Sequence, residues 1–182
     1  MERPLPGRRT ARWRKHRRTA AALALLVLLS ACSSSGPRLP CPQLFTVSDA
    51  ERQTKFVGDG RDLTDVEYEA AIRNPVLACR YDDNTVESLL TLNLLVVRGP
   101  ADDDRVVRVN YFVAISTQDK KILAREEFTV DVEFEGNQTR VLVIEEIEPN
   151  IPLRSGETGV DYHIYLGFRL SPEELAYNRE NR

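Results

Sequence analysis

Residue types that most often carry enzyme chemistry are scarce in this chain of 182 residues. It contains two histidines, three cysteines, one tryptophan and one methionine, and only one histidine, His163, lies beyond residue 31. A zinc site takes three or four histidine, cysteine or carboxylate ligands, which this inventory does not supply. The chain also lacks a phosphate-binding loop, a dinucleotide fingerprint and a G-x-S-x-G nucleophile elbow. The sequence therefore predicts no catalytic residue and no metal, and a triad through His163 is the weakest alternative.

Charge is distributed unevenly along the chain. Residues 1–31 hold eight basic residues and one acidic residue, whereas the remaining 151 residues hold 17 basic and 27 acidic residues. The first segment therefore carries +7 and the body −10, a division typical of a targeting segment followed by a domain. An acidic body argues against nucleic acid as a partner and against direct binding of anionic lipid headgroups.

The N-terminal segment has the layout of an export signal. The basic residues end at Arg18, and residues 20–29 are all apolar. Ten residues of helix span about 15 Å, half of a hydrocarbon core, which suits a signal peptide better than a membrane span. The residues that follow, Leu29, Ser30, Ala31 and Cys32, resemble the lipobox of bacterial lipoprotein precursors. The resemblance implies cleavage before Cys32, a diacylglycerol on its thiol and an acyl group such as palmitate on its amine.

The same resemblance gives an expected location. Residues 1–31 would be the cleaved signal peptide, and residues 32–40 the lipidated cysteine with a flexible tether. Ser33, where aspartate would signal retention in the inner membrane, favours the outer membrane with the body facing the periplasm. The covalent lipid would hold the membrane, and no other cofactor is expected. The alternatives are an ordinary secretory signal with a chance cysteine and, from Arg17 and Arg18, twin-arginine export.

Two cysteines remain for the body, Cys41 and Cys79. A pair of cysteines in an oxidising compartment predicts a structural disulfide. Free thiols and a redox pair are the alternatives, and the redox pair lacks a C-x-x-C spacing.

Alternating apolar residues predict an all-β fold for a single domain, residues 41–178. We expect an immunoglobulin- or fibronectin-like sandwich of about seven strands, at 66–72, 77–81, 86–97, 107–115, 128–134, 141–147 and 162–170. The Cys-Trp-Cys pattern of true immunoglobulin domains is absent. In the third strand, Leu89, Leu95 and Val97 make the second face apolar too, which predicts that part of this strand is central and covered on both sides. Ser48 and Glu51 form a capping-box pattern, which predicts a short helix over 47–56.

Several carboxylates need a structural or a functional interpretation. Asp59, Asp62, Asp65 and Glu67 miss the EF-hand spacing, so a solvated turn with aspartate caps is favoured over a loose calcium site. The run Asp102–Asp104 is expected to be a solvated loop tip. We expect three glutamates near residue 147 to face water: Glu145, Glu146 and Glu148. His163 is predicted at an outward position, as an ordinary surface histidine.

Two features could bind a partner. Residues 171–174, SPEE, predict a helix that ends near Tyr177, with 179–182 as a polar tail. The candidate partner-binding residues of this segment, which dock either on their own sandwich or on a partner, are Leu175, Tyr177, Asn178 and Arg179. An open edge strand is the second feature, because it could accept a strand from another protein, although its many charges favour a blunted edge.

Short stretches of the body give a second resemblance. They are GRDLTDV at 60–66, YEA at 68–70, YFVA at 111–114 and ELAYNR at 174–179. The body resembles a group of uncharacterised alphaproteobacterial envelope lipoproteins, which brings no activity with it.

The sequence thus predicts a lipid-anchored cell-envelope protein with a non-enzymatic adaptor or structural role, bound to another envelope protein. A binder of a small ligand or envelope polymer is the alternative, and an enzyme is the third. An adaptor should show an apolar groove or free edge beside the C-terminal helix. A ligand binder should show a closed pocket, and an enzyme should show polar groups converging around His163 or the acidic loop.

Overall fold

Two β-sheets packed face to face form the part of the chain that the structure describes. The structure is a computed structural model, and it describes residues 39–181. Its strands are β1 (Gln43–Thr46), β2 (Arg52–Phe56), β3 (Val66–Asp82), β4 (Thr85–Arg98), β5 (Val106–Thr117), β6 (Ile122–Glu133), β7 (Arg140–Ile147), β8 (Ile151–Pro152) and β9 (Tyr162–Phe168). Helix α1 (Pro172–Glu180) and 3-10 turns at Ser48–Ala50, Leu63–Asp65 and Gly159–Asp161 accompany them. The prediction of an all-β sandwich is confirmed.

The two sheets have four and five strands. The four-stranded sheet has the order β1-β9-β5-β6, in which β1 runs parallel to β9. The five-stranded sheet has the order β2-β3-β4-β7, and β8 pairs with β4 beyond the end of β7. Strand β4 therefore has partners along both of its edges and lies at the centre of its sheet.

The core lies between the inner faces of the two sheets. Because side chains alternate between the faces of a strand, every second residue of β4 points inward. These inward side chains pack against those of β5 and β9, and the following are all fully buried: Leu90, Leu92, Leu94, Val96, Val109, Tyr111, Ile164, Leu166 and Phe168. Among residues 39–181, no helix is long and apolar enough to cross a membrane.

The predicted helix over 47–56 is wrong. A single 3-10 turn at Ser48–Ala50 is followed directly by strand β2. Val47 occupies the N-cap position of that turn, and no side-chain capping bond forms there, so the Ser48 and Glu51 pattern does not act as a capping box. Pairing of β2 with β3, ten to nineteen residues away in sequence, outweighs the local helical signal, as tertiary context commonly does.

The strands predicted at 66–72 and 77–81 are one strand, β3. Its pairing with β4 shifts between Arg73 and Val76, where Asn74 has a positive φ of 43°. Two residues, Asn74 and Pro75, stand where β4 contributes only Leu92, which is a β-bulge. Proline is tolerated at a bulge because its missing N–H is not needed by the ladder there. The bulge thus explains why the sequence pattern breaks while the strand continues.

Four further elements differ from the sequence prediction. Strands β1 and β8, with four and two residues, carry too little alternation to be recognised and were not predicted. Strand β6 begins at Ile122, six residues before the predicted start. Helix α1 extends to Glu180, so Asn178 and Arg179 belong to the helix and not to a tail.

A covalent clamp holds the first described residues. Cys41 and Cys79 form a disulfide, as predicted, which joins the chain just before β1 to strand β3. Beside it, the Tyr81 hydroxyl donates to the Pro40 carbonyl at 2.7 Å and accepts from the Gly159 N–H at 2.6 Å. The clamp lies at the end of the sandwich that carries the β3–β4 turn, and we call this the clamp end. The residues predicted to be lipidated or to precede the lipid, Leu29, Ser30, Ala31 and Cys32, lie outside the described residues.

Removal of the disulfide by the double substitution Cys41→Ala and Cys79→Ala should lower the free energy of unfolding by about 4 kcal/mol. The reason is that the linkage joins residues 38 positions apart and so restricts the unfolded chain. Urea unfolding of the oxidised chain, the reduced chain and the double variant measures this. The reduced chain and the double variant should have the same midpoint, and coincidence of all three midpoints would contradict the disulfide.

Candidate functional site

The outer face of the five-stranded sheet, which points away from the core, is largely apolar. Its central part consists of side chains from three neighbouring strands: Ala71, Leu95, Val97, Leu142 and Ile144. We call this set the outer-face patch. Leu142 is 55% exposed and Ile144 is 61% exposed. Within residues 39–181, no strand or helix packs over these two residues of β7. On the central strand β4, Leu95 and Val97 are half-buried and Leu89 is 38% exposed, so its second face is only partly covered.

Strand register fixes how the patch is arranged. One row across the sheet runs Arg52, Ala71, Leu95 and Leu142 on β2, β3, β4 and β7. The row towards the end opposite the clamp runs Thr54, Glu69, Val97 and Arg140, and the row towards the clamp end runs Arg73, Asn93 and Ile144. Because neighbouring strands lie about 4.8 Å apart, the side chains of these rows are close to one another. Together they form an apolar surface with basic residues at its margins.

A groove lies where the outer-face patch meets the C-terminal part of α1. It has a volume of about 630 Å³, and Leu95 and Val97 form part of its floor. The helix contributes Tyr177 and Asn178 to its wall. The charged residues that line it are all exposed: Glu51, Arg52, Glu69, Arg73 and Arg140. The site is therefore an open groove beside the C-terminal helix and not a closed pocket.

Within residues 39–181, three guanidinium groups at this groove have no internal partner. In the described residues, no ion pair and no side-chain hydrogen bond involves the guanidinium of Arg52, Arg73 or Arg140. By contrast, Arg98 and Arg108 are paired with Asp102 and Asp131. Arginine groups that the fold does not use remain available to carboxylates of a partner.

Helix α1 is held in place by a buried polar cluster. The predicted cap is present, because the Ser171 side chain accepts from the Glu174 N–H and the Glu174 side chain accepts from the Ser171 N–H. Glu174 is 8% exposed, and its Oε1 accepts from Gln53 Nε2 at 3.2 Å and lies 3.4 Å from Lys55 Nζ. One carboxylate thus caps the helix and ties it to β2.

Tyr68 supports this cluster from the core side. Its hydroxyl donates to the Arg108 carbonyl at 2.9 Å and lies 3.2 Å from Gln53 Oε1. Burial, together with the nearby Glu174 carboxylate, raises the pKa of Tyr68. The hydroxyl therefore stays protonated as a donor throughout the physiological range.

Three of the four candidate partner-binding residues dock the helix on its own sandwich. The Tyr177 ring packs edge-on against Phe56, with 5.0 Å between centroids. Asn178 Nδ2 donates to the carbonyls of Asp49 and Arg52, at 2.8 and 2.7 Å. Arg179 pairs with Asp49 at 2.9 Å, and Leu175 is half-buried. Tyr177 and Asn178 line the groove as well, so they border the candidate site although docking is their first role.

His163 lies in an aromatic and not in a polar environment. It is half-buried on β9, and its ring packs edge-on against Phe45 at 5.1 Å and lies 6.1 Å from Tyr165. In the described part of the chain, its Nδ1 is buried without a hydrogen-bond partner. The predicted surface position is therefore only partly correct, since Phe45 covers the ring.

The first acidic cluster forms a capped turn, as favoured from the sequence. The Asp62 N–H donates to Asp65 Oδ2 at 3.0 Å, and the two side chains form reciprocal caps on the 3-10 turn Leu63–Asp65. Across residues 39–181, no group of three or more histidine, cysteine or carboxylate side chains could hold a metal ion. Asp59 is exposed and Glu67 half-buried.

Two carboxylates are less solvated than predicted. Asp102 is only 6% exposed; it accepts from Arg98 Nε and from the Arg105 N–H, so it organises the loop after β4. Its neighbours Asp103 and Asp104 are exposed, as expected.

Glu145 is the second exception, because it points towards the core at the edge of the sandwich. It accepts from the Tyr111 hydroxyl at 3.0 Å, whereas Glu146 and Glu148 are exposed, as predicted. Burial, followed by this hydrogen bond, raises the pKa of Tyr111.

Sequence reasoning did not single out the arginines or the outward residues of β7. A signal for the latter was present, since residues 141–144 are all apolar. A strand that is apolar on both faces packs one face against the core, and its other face is then available to a second packing partner. The three arginines gave no such signal, because they are scattered from position 52 to position 140.

The carboxyl group of Glu67 links protonation to stability. Its pKa is raised, first because burial desolvates the carboxylate; Lys55 opposes this, while Asp102, Asp104 and Glu174 add to it. A raised folded pKa means that the folded chain binds the proton more tightly than the unfolded chain does. The charged form therefore destabilises the fold above that pKa, and the penalty fades as the pH falls through it towards 4.5.

Substitution Glu67→Gln should accordingly raise the urea midpoint at pH 7, and the advantage over the wild type should disappear near pH 4. Urea titrations at both pH values measure it. Glu126→Gln, at an exposed position of β6, is the matched control. Its urea midpoint should differ from that of the wild type by the same amount at pH 7 and at pH 4. An advantage of Glu67→Gln that is the same at both pH values would contradict this assignment.

No protein-family model matches the chain, and neither the curated proteins nor the solved structures contain a match.

Proposed function

We propose that this protein is a lipid-anchored adaptor of the bacterial cell envelope, which binds another envelope protein on the outer face of its five-stranded sheet. The observation that carries the proposal is the outer-face patch: Leu142 and Ile144 are more than half exposed, and Ala71, Leu95 and Val97 line a groove beside helix α1. Exposed contiguous apolar surface of this kind marks interaction sites in soluble domains. The interaction role needs no catalytic group.

The anchor is supported by the sequence before the described residues. A basic segment, ten apolar residues and the Leu29–Cys32 motif stand in the order of a lipoprotein signal. Multiple acyl chains on Cys32 would anchor the chain stably, where one chain would not. We place the protein at the outer membrane, facing the periplasm, on the basis of Ser33.

The geometry suits an anchored adaptor. The first described residues are clamped at the end of the sandwich where β4 begins. Leu95 lies ten residues further along β4, about 33 Å away at strand spacing. The outer-face patch thus lies towards the end of the sandwich opposite the one where the first described residues are clamped.

A binder of a small ligand or polymer is the second candidate. The groove volume, about 630 Å³, falls in the range of ligand pockets, which supports this reading. Such pockets enclose most of their ligand, whereas the charged residues lining this groove are exposed. The adaptor remains the better match.

Lipidation is tested by Cys32→Ser. Cells grown with labelled palmitate should label the wild type and the Ser35→Ala control in the tether, but not the Cys32→Ser variant. The mass of the wild type should exceed its cleaved sequence by a diacylglycerol and an acyl chain. Label that persists in Cys32→Ser, or a wild-type mass without lipid, would overturn the anchor.

The adaptor role is tested by a photoreactive residue placed at Ile144 in intact cells. Irradiation should give a discrete protein adduct, because a partner covers this position. The same residue at Ile122, an isoleucine of similar exposure on β6 of the other sheet (54% against 61%), is the matched control and should not give that adduct. Equal adducts at both positions, or none at Ile144 in repeated trials, would refute the outer face as the binding surface.

A further inference from the structure

Most basic side chains of the body have a partner within the fold, and those that do not are concentrated at the groove. Residues 39–181 contain 15 basic and 27 acidic residues, a charge of −12. Within that range, ten of the basic side chains form an ion pair or a hydrogen bond. The five without either are Arg52, Arg73, Lys120, Lys121 and Arg140. Three of these five line one groove, although the body as a whole is strongly acidic.

The three arginines surround the apolar floor from different strands. Arg52 lies on β2, Arg73 on β3 and Arg140 on β7. Three strand spacings separate β2 from β7, so the backbones of Arg52 and Arg140 stand about 14 Å apart across the sheet. An object that contacted all three would cross the outer-face patch and cover Leu95 and Val97. Its surface must combine apolar groups in the middle with anionic groups at the margins.

We infer that the occupant of this groove is an acidic amphipathic helix of a partner protein. Its apolar stripe would cover the outer-face patch, and its aspartate and glutamate side chains would pair with the three arginines. An amphipathic helix presents an apolar stripe with polar side chains on both sides, which matches the floor and margins of the groove. This inference names the partner chemistry and rests on the proposed adaptor function.

Charge and position favour a protein segment over an anionic membrane. The floor is aliphatic, and the groove lies about 33 Å along β4 from the clamp end. The net charge of −12 opposes binding to an extended surface of anionic headgroups. A single helix in the groove interacts mainly with the charged residues that line the groove. Their net charge is positive by one unit, because Glu51 and Glu69 also line the groove.

Substitution of Glu69 should change the affinity for an acidic helix in the opposite direction to substitution of the arginines. Glu69 lies between Thr54 and Val97 in the row that ends at Arg140, and its side chain is exposed. A carboxylate there repels an acidic helix, so Glu69→Gln should tighten binding where the arginine substitutions weaken it.

The experiment uses a labelled synthetic peptide of about 18 residues as the probe, with leucine at positions i, i+3, i+4 and i+7 and glutamate elsewhere. Fluorescence anisotropy is measured with the full chain in non-ionic detergent, and signal from empty micelles is subtracted. The glutamate peptide should bind at least about tenfold more tightly than its glutamine counterpart at low salt. The difference should shrink at high salt, because the charges are near the surface.

Substitutions then locate the binding. Each of Arg52→Gln, Arg73→Gln and Arg140→Gln should weaken the glutamate peptide about three- to tenfold, and Ile144→Ser should weaken both peptides. Lys121→Gln and Ile122→Ser are the matched controls, since they make the same changes at exposed positions away from the groove. Both controls should bind as the wild type does, and thermal unfolding by circular dichroism verifies that all variants are folded.

Other outcomes overturn the inference. These are equal binding of the glutamate and glutamine peptides, arginine variants that bind like the wild type, and no binding of any peptide. Preference for phosphatidylglycerol vesicles over the glutamate peptide would assign the groove to a membrane instead. A protein adduct at Ile144 combined with failure of the peptide would reject the acidic helix and leave the adaptor function standing.

Discussion

Burial of one face of β4 is the constraint on which the rest of the molecule depends. Leu90, Leu92, Leu94 and Val96 are fully enclosed between the sheets, and strict alternation then sends the residues between them to the opposite face. The register that builds the core therefore also presents Leu95 and Val97 on the outside. A slip of one residue would exchange the two faces, so the core and the candidate binding surface are specified together.

Helix α1 shapes the groove by closing one side of the sandwich. It packs beside β2, where Glu174, Gln53 and Lys55 form a polar cluster, and where Asn178 donates to the carbonyls of Asp49 and Arg52. A carboxylate buried with a cation and several donors is held in one geometry. These contacts position the wall of the groove. Those of Asn178 are made to Asp49 and Arg52, in the segment 47–56 that was expected to be a helix.

Local signals and long-range contacts explain what the sequence could and could not predict. Clean alternation identified most strands, and the pattern at Ser171–Glu174 identified the start of α1, because both signals lie within a few residues. The segment Arg52–Phe56 looked helical because its strand character comes from pairing with β3. Asp102 looked solvated because it begins an acidic run, and only the folded loop brings the Arg98 side chain of β4 and the Arg105 N–H to its carboxylate.

The candidate site was hidden from the sequence for a related reason. Arg52, Arg73 and Arg140 become neighbours only through the register of β2, β3, β4 and β7. The positions of these arginines along the chain have no regular spacing that would predict the cluster. The exposed residues of β7 could have been noticed, since a strand apolar on both faces needs an explanation for the second face.

The clamp at Cys41 and Cys79 also determines how the domain transmits tension. Strand β1 holds to β9 through only four residues of parallel pairing, and a pull on the N-terminal chain would unzip so short a strand first. Because Cys41 precedes β1 and is bonded to β3, the load bypasses β1 and passes covalently into the longest strand of the five-stranded sheet. From there it reaches β4 through pairing along most of its length, directly beneath the outer face. A partner held at that face would thus be mechanically coupled to the start of the domain through a covalent bond and a long ladder, with the weakest strand left unloaded.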